Sequence, residues 1–268
     1  MKLYINEKLI EIKEGETAFS LRDTRKKEAD IVILNGFILK EDAVLKAGDK
    51  LSFIKRGETP SQEDMEGLLV SRHTPGVHEK LKKATVGIAG LGGLGSNIAV
   101  ALARVGVGKL ILVDFDVVEP SNLNRQQYFI KHIGMKKTEA MKKLLENINP
   151  FITVETVDTF LDKTNIEEVF KEAEVIVEAF DNPVCKAELT TTVLTRMKDR
   201  YIVAASGMAG YFSNNTIITK KLGEKFYLIG DGVSEATVGC GLMAPRVNIA
   251  ANHQANTVMR IILGETGV

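Results

Sequence analysis

Short apolar runs separated by turn residues open the chain. KLYIN from Lys2 and LIEIK from Leu9 are joined at Glu7-Lys8, the pattern of a β-hairpin. AFSLRDTRKK from Ala18 reads as a short helix that Thr17 can cap. DIVILNG, turn residues around Gly36, a link ending in LKAGD, and LSFIKR add further strands, so residues 1–56 form one small sheet-and-helix module. Residues 57–69 read as a linker; GETPSQEDMEG within it is polar and acidic and could also open a connecting helix. The pattern changes at ATVGIAG, residues 84–90, an apolar β-branched run. It passes into Gly90-Leu91-Gly92-Gly93-Leu94-Gly95 and then SNIAVALA, helical in composition. The next strand, KLILVDFD, carries Asp114, 19 residues beyond Gly95. Strand, GxGxxG turn, helix and strand predict an α/β, Rossmann-like fold for this second part of the chain.

Composition narrows the function. The chain has 268 residues, 44% hydrophobic and 26% charged, as soluble globular proteins do. Lys plus Arg is 35 and Asp plus Glu is 35, so a broad electrostatic grip on DNA or an anionic membrane is not expected. Ala84–Ala103 holds no charge and is long enough to span a bilayer, but its five glycines, Ser96 and Asn97 fit a strand, turn and helix instead. The N-terminus lacks the apolar core of a signal peptide. Two cysteines, Cys185 and Cys240, are too few for a four-cysteine zinc site, and a reducing, cytoplasmic setting is the simpler expectation. His73, His78, His132 and His253 share no metal-ligand spacing.

The glycine turn lets backbone N–H groups approach a phosphate at a helix N-terminus, and an acid at Asp114 suits ribose hydroxyls. GxGxxG alone does not separate NAD from other adenine nucleotides. The residues downstream do. Asp114-Phe115-Asp116 leads into Ser121-Asn122-Leu123-Asn124-Arg125-Gln126, then Gly134 and, three residues on, Lys137; VIVEAFDN ends in Asp181-Asn182, and GLMAPRVNIAANHQANTVMRIILG closes the chain. Over residues 70–268 this resembles the ThiF/MoeB/HesA family of adenylyltransferases, which joins GxGGLG to D-x-D, SNLxRQ and a later glycine and lysine.

The resemblance implies an ATP site at Gly90, Gly92, Gly93, Gly95, Asp114, Asp116, Ser121, Asn122, Leu123, Asn124, Arg125, Lys137, Asp181 and Asn182. Arg125, Lys137 and Asp181 are the implied catalytic residues, and Asp181 the implied ligand of Mg²⁺. The chemistry suits these side chains. A carboxylate is already nucleophilic towards the α-phosphate of ATP, so the work is positioning and neutralising charge. Arg125 offers a bidentate fork and Lys137 a point charge. Family members pair as homodimers, and an arginine from before the domain, here Arg72, would act in trans. The family's transfer cysteine falls at Thr237, three residues before Cys240, so the reaction is expected to stop at the acyl-adenylate.

Residues 1–56, with VILNG and AGD before the last strand, resemble the ubiquitin-like β-grasp sulfur carriers of thiamine and molybdopterin synthesis. Those end in a free Gly-Gly. Here Arg56-Gly57-Glu58-Thr59-Pro60 continues, so this module is not itself the carrier. The expected partner is a separate small ubiquitin-like sulfur carrier with a Gly-Gly terminus, and thiamine biosynthesis the expected setting. Activation of a small-molecule or tRNA-linked carboxylate, a NAD-dependent oxidoreductase and a non-catalytic scaffold are the alternatives.

Overall fold

The computed structural model describes residues 1–268, and the chain divides into two units, Met1–His78 and Glu79–Val268. The first unit is built from β1 (Lys2–Ile5), β2 (Lys8–Glu11), α1 (Ala18–Arg25), β3 (Ile31–Leu34), β4 (Phe37–Ile38), β5 (Lys50–Ile54) and α2 (Gln62–Arg72). Its sheet order is β2-β1-β5-β3-β4, with β1 parallel to β5 and the other pairs antiparallel. Alternate residues Leu3, Ile5, Leu51 and Phe53 face inward and meet Ala18 and Leu21 of α1. Thr17 caps α1 as expected, its Oγ1 accepting the Ser20 N–H.

The β1–β2 turn falls at Asn6-Glu7, one residue before the expected Glu7-Lys8. Both residues have positive φ, +46° and +64°, the geometry a two-residue hairpin turn requires, and asparagine tolerates it well. Part of the stretch expected as linker is helical. Ser61 Oγ accepts the Asp64 N–H at 3.1 Å and starts α2. Lys8 pairs with Glu63 and Asp64 at 2.8 and 3.3 Å, and Arg72, in the last turn, lies 4.0 Å from Glu7 with its side chain 81% exposed.

A short helix, α3 (Val77–Leu81), crosses the division between the units. The second unit follows with β6 (Thr85–Ala89), α4 (Gly93–Arg104), β7 (Lys109–Val113), α5 (Lys137–Ile148), β8 (Thr153–Val157), α6 (Ile166–Val169), β9 (Val175–Glu178), α7 (Pro183–Arg196), β10 (Tyr201–Ala205), β11 (Ile218–Lys221), β12 (Phe226–Gly230) and α8 (Ala244–Leu263). Its sheet runs β11-β12-β10-β9-β6-β7-β8, parallel except for β11. β6, β7, β9 and β10 are buried at nearly every position, as strands covered on both faces are. α7 packs on β9 and β10, while α8 packs on α4, β10 and β12. The chain builds outward from β6 to β8, then returns to place β9 on the other side of β6. That reversal opens a crevice at the carboxyl ends of β6 and β9, where open α/β sheets bind ligands. No helix is long and apolar enough to cross a membrane.

Candidate active site

The crevice holds a cavity of about 790 Å³. Its rear wall is the turn after β6. Gly90 has φ +94°, and a Cβ at Gly95 would lie 1.8 Å from the Gly90 carbonyl oxygen, so α4 seats directly on the turn. Gly90, Gly92 and Gly93 line the cavity; Gly95 does not, because its role is that close packing.

The acids after β7 divide their work. Asp114 is buried, and both its oxygens accept backbone N–H groups: Oδ2 from Leu91 at 2.7 Å, Oδ1 from Asp116 at 2.8 Å. The residue expected to meet a ribose thus has both oxygens engaged within the fold, where it pins the glycine turn. Tyr128 donates to the Leu91 carbonyl at 2.9 Å, and burial, with the Asp114 charge, raises its hydroxyl far above the ordinary phenol value. Asp116 has its side chain 51% exposed and lines the cavity. Lys137, the first residue of α5, is only 7% exposed. Its Nζ lies 2.9 Å from Asp116 Oδ2 and 3.9 Å from Asp114 Oδ2. A buried ammonium needs such partners, and these hold it at the cavity wall.

The segment between β7 and α5 places Arg125. Ser96 and Asn97 on α4 bind it: Asn97 Nδ2 donates to the Arg125 carbonyl at 3.1 Å, and Ser96 Oγ accepts the Gln127 N–H at 3.2 Å. Arg125 packs its stem against Gly93 and donates from its guanidinium to Asn124 Oδ1 at 2.8 Å. Its Nε and the Oε1 of Gln126 are buried without partners, and both residues line the cavity. Asn122 also lines it, with its Oδ1 taking the Glu119 N–H at 3.1 Å. Ser121, Leu123 and Asn124 do not line it. Asn124 instead donates to the Leu242 carbonyl at 3.0 Å, tying this segment to the approach to α8.

On the far side stand Asp181 and Asn182, both lining the cavity. β9 ends at Glu178, three residues before Asp181, so the expected strand is shorter than VIVEAFDN. Asn182 caps α7, its Oδ1 accepting the Val184 and Cys185 N–H groups. Asp181 makes no hydrogen bond or ion pair. No group of three or more His, Cys, Asp or Glu side chains could cage a metal ion. A lone, unpartnered carboxylate facing the cavity still suits Mg²⁺, which takes one or two carboxylates and leaves its other positions to further oxygen ligands and water. Arg72 belongs to the first unit and does not line the cavity.

Some lining residues escape the sequence reading. Lys186 of α7 reaches back to the cavity, and its Nζ lies 3.0 Å from both oxygens of Glu178, which is 1% exposed. Burial pushes the Glu178 carboxyl above its ordinary range, against the pull of Lys186. An acid closing an apolar strand is the available signal, because such an acid demands a partner. Phe115 and Phe160 meet edge-on, centroids 5.4 Å apart, and offer an apolar platform at the rim. A third buried pair shapes the remaining wall. Arg246 donates to Asp231 at 2.7 Å, and the Val233 and Ser234 N–H groups bind the same carboxylate. Burial alone would raise Asp231, but the Ser234 hydroxyl, these N–H groups and Arg246 prevail and hold its pKa at about 2.

Comparison with known proteins places a chain of this geometry in a family. The ThiF family model matches residues 67–268. The chain belongs to the ThiF family. A second model, ThiS-like ubiquitin, matches residues 1–57, so a ThiS-like module precedes the ThiF domain. The molybdopterin-synthase adenylyltransferase of Escherichia coli K12 is 32% identical over 192 residues, 69% of this chain and 76% of that protein. Among solved structures, the E. coli tRNA N6-threonylcarbamoyladenosine dehydratase TcdA in complex with AMP shares the fold, with a TM-score of 0.67 at 21% identity over 78% of this chain and 99% of that one. E. coli MccB with ATP aligns with a TM-score of 0.54 at 28% identity, over 70% of this chain and 58% of that one.

Proposed function

We propose that this ThiF-family adenylyltransferase joins the C-terminal carboxylate of a small ubiquitin-like sulfur carrier, ending in Gly-Gly, to the AMP moiety of ATP. The setting we propose is thiamine biosynthesis. The observation that carries the reading is the convergence of the glycine turn, Arg125, Lys137 and Asp181 on one cavity. The named adenylyltransferase relative and the ThiS-like module support it.

The glycine turn and the N-terminus of α4 receive phosphate, and the ribose lies towards the half-exposed Asp116. The Phe115–Phe160 edge flanks the base. The carrier carboxylate attacks the α-phosphorus; a new O–P bond forms as the bond to the β-phosphate bridging oxygen breaks, and pyrophosphate leaves. No proton transfer is required, so no general base is needed. Arg125 and Lys137 stabilise charge on the phosphate oxygens, which is where such catalysis gains most. Asp181 is the residue that would hold Mg²⁺, which would supply further charge neutralisation. We place the end of the reaction at the acyl-adenylate, since Thr237 stands where a transfer cysteine would. The active form we propose is a cytoplasmic homodimer with Arg72 acting in trans.

ATP–pyrophosphate exchange tests the reading, with small Gly-Gly carriers added one at a time. Carrier-dependent exchange that requires Mg²⁺ is expected. Exchange that no carrier stimulates would overturn the substrate assignment. Light scattering should give twice the 29.4 kDa chain mass, and a mixture of Arg72→Ala and Lys137→Ala chains should regain activity.

A further inference from the structure

The turn that carries Asp181 is closed on itself. Glu178 Oε1 accepts the Phe180 N–H at 2.7 Å, which bends the chain out of β9 directly before Asp181. Asn182 then starts α7, and its carbonyl accepts the Lys186 N–H at 3.0 Å. One turn into that helix, the Lys186 side chain returns to Glu178, at 3.0 Å from each oxygen. The ring is bolted to the neighbouring strand as well: Lys186 Nζ donates to the Ala205 carbonyl at 3.0 Å. Asp181 stands at the apex and has no tether of its own.

We propose that Lys186 and Glu178 are a positioning pair that sets the Asp181–Asn182 turn for the adenylation step, an inference that rests on the function proposed above. Lys186 lines the cavity, yet it does not act on substrate. An ammonium has three donors, and two are taken by Glu178 and the third by Ala205. Its influence passes through the backbone. Without the ammonium, Glu178 is left as a buried carboxylate with only N–H donors around it, and the ring loses the closure that aims Asp181. A shift of about 1 Å at a phosphate-facing group is enough to cost about 10²-fold in rate.

The test uses the full chain with Lys186→Met, Lys186→Arg, Glu178→Gln and the double change Lys186→Met/Glu178→Leu. Three quantities are read: ATP–pyrophosphate exchange against Mg²⁺ concentration, melting temperature, and amide hydrogen exchange at Phe180 and Val184 without nucleotide. Lys186→Met should lose about 10²-fold in turnover, need more Mg²⁺ for half-maximal rate, keep its KM for the carrier, and lose protection at Phe180. Lys186→Arg should restore rate and protection, since a guanidinium can also engage the carboxylate bidentately. The double variant removes the unpaired buried charge, so its melting temperature should recover while its rate and Mg²⁺ dependence do not. Recovery of rate together with melting temperature would reduce the pair to a structural one and overturn the proposal. So would a folded Lys186→Met with normal rate and protection. If Lys186→Met fails to fold, the isosteric Glu178→Gln carries the same readouts. A wild-type protein with no exchange activity would sink the proposed function, while the amide protection data would still decide whether the pair holds the turn.

Discussion

The two units of this chain solve the problem of an interior in opposite ways. The core of the ThiS-like unit is apolar, built from Leu3, Ile5, Leu21, Val32, Leu51 and Phe53 among others, and its ion pairs lie on the surface. The ThiF unit buries charge. Asp114 and Lys137, Glu178 with Lys186, and Asp231 with Arg246 all stand at or beside the cavity. Buried ion pairs rarely stabilise a fold over a well-packed apolar core. Their concentration around one crevice, and absence from the small unit, marks where stability has been exchanged for geometry.

Removing one charge of a buried pair tests this contrast most severely. Arg246→Met should destabilise the ThiF unit by about 3–5 kcal/mol in chemical denaturation, because Asp231 would be left unpaired. A loss below about 1 kcal/mol would show that the fold does not depend on the pair. In the ThiS-like unit the matching change is apolar: Leu51→Ala, at 1% exposure, should cost about 2–5 kcal/mol through the lost packing and the cavity left behind. Charge substitutions have no such leverage there.

Next come the residues that face the cavity. Arg125→Ala and Asp181→Ala should each slow pyrophosphate exchange by at least about 10²-fold. Asp181 has no partner to lose, so its removal should leave stability within about 0.5 kcal/mol. A large stability loss in Asp181→Ala would make it a structural residue and blur the contrast.

Acid tests the buried Asp231–Arg246 pair directly. Asp231 is held at about 2, below the ordinary aspartate value of 3.8. A depressed folded value means that its stabilisation is complete above the unfolded value and is lost as pH falls from about 4 towards 2. Between those limits the ThiF unit should lose about 2 kcal/mol through this group, and Asp231→Asn should remove that part of the acid slope. An unchanged slope would contradict the pairing. The smallest effect belongs to the surface of the first unit. Lys8→Ala removes exposed pairs with Glu63 and Asp64 and should cost less than about 0.5 kcal/mol.

Local pattern is enough for the elements whose signals are short-range. The Thr17 cap, the inward alternation of Leu3 and Ile5, and the strand-glycine-helix step at Gly90 are each encoded within a few residues. The hairpin turn lies one residue from where the pattern puts it, because apolar runs mark strands better than they mark which residue must adopt positive φ. The α2 helix is harder to see. It buries no residue and has no strong apolar stripe, so its cap at Ser61 is the one clear signal.

The family resemblance carried by the sequence motifs names the candidates, and the glycine turn, Asp116, Arg125, Lys137 and Asp181 all reach the one cavity. How these groups are held emerges only in the folded molecule. Asp114 ties the glycine turn, and Lys137 is gripped by two acids from the neighbouring loop. Lys186 closes on Glu178 across a turn, and Gly95 serves packing. The reason is range. Residue chemistry is local, but the demand for a partner arises only when a charge is buried, and burial is decided by strands that meet from distant parts of the chain.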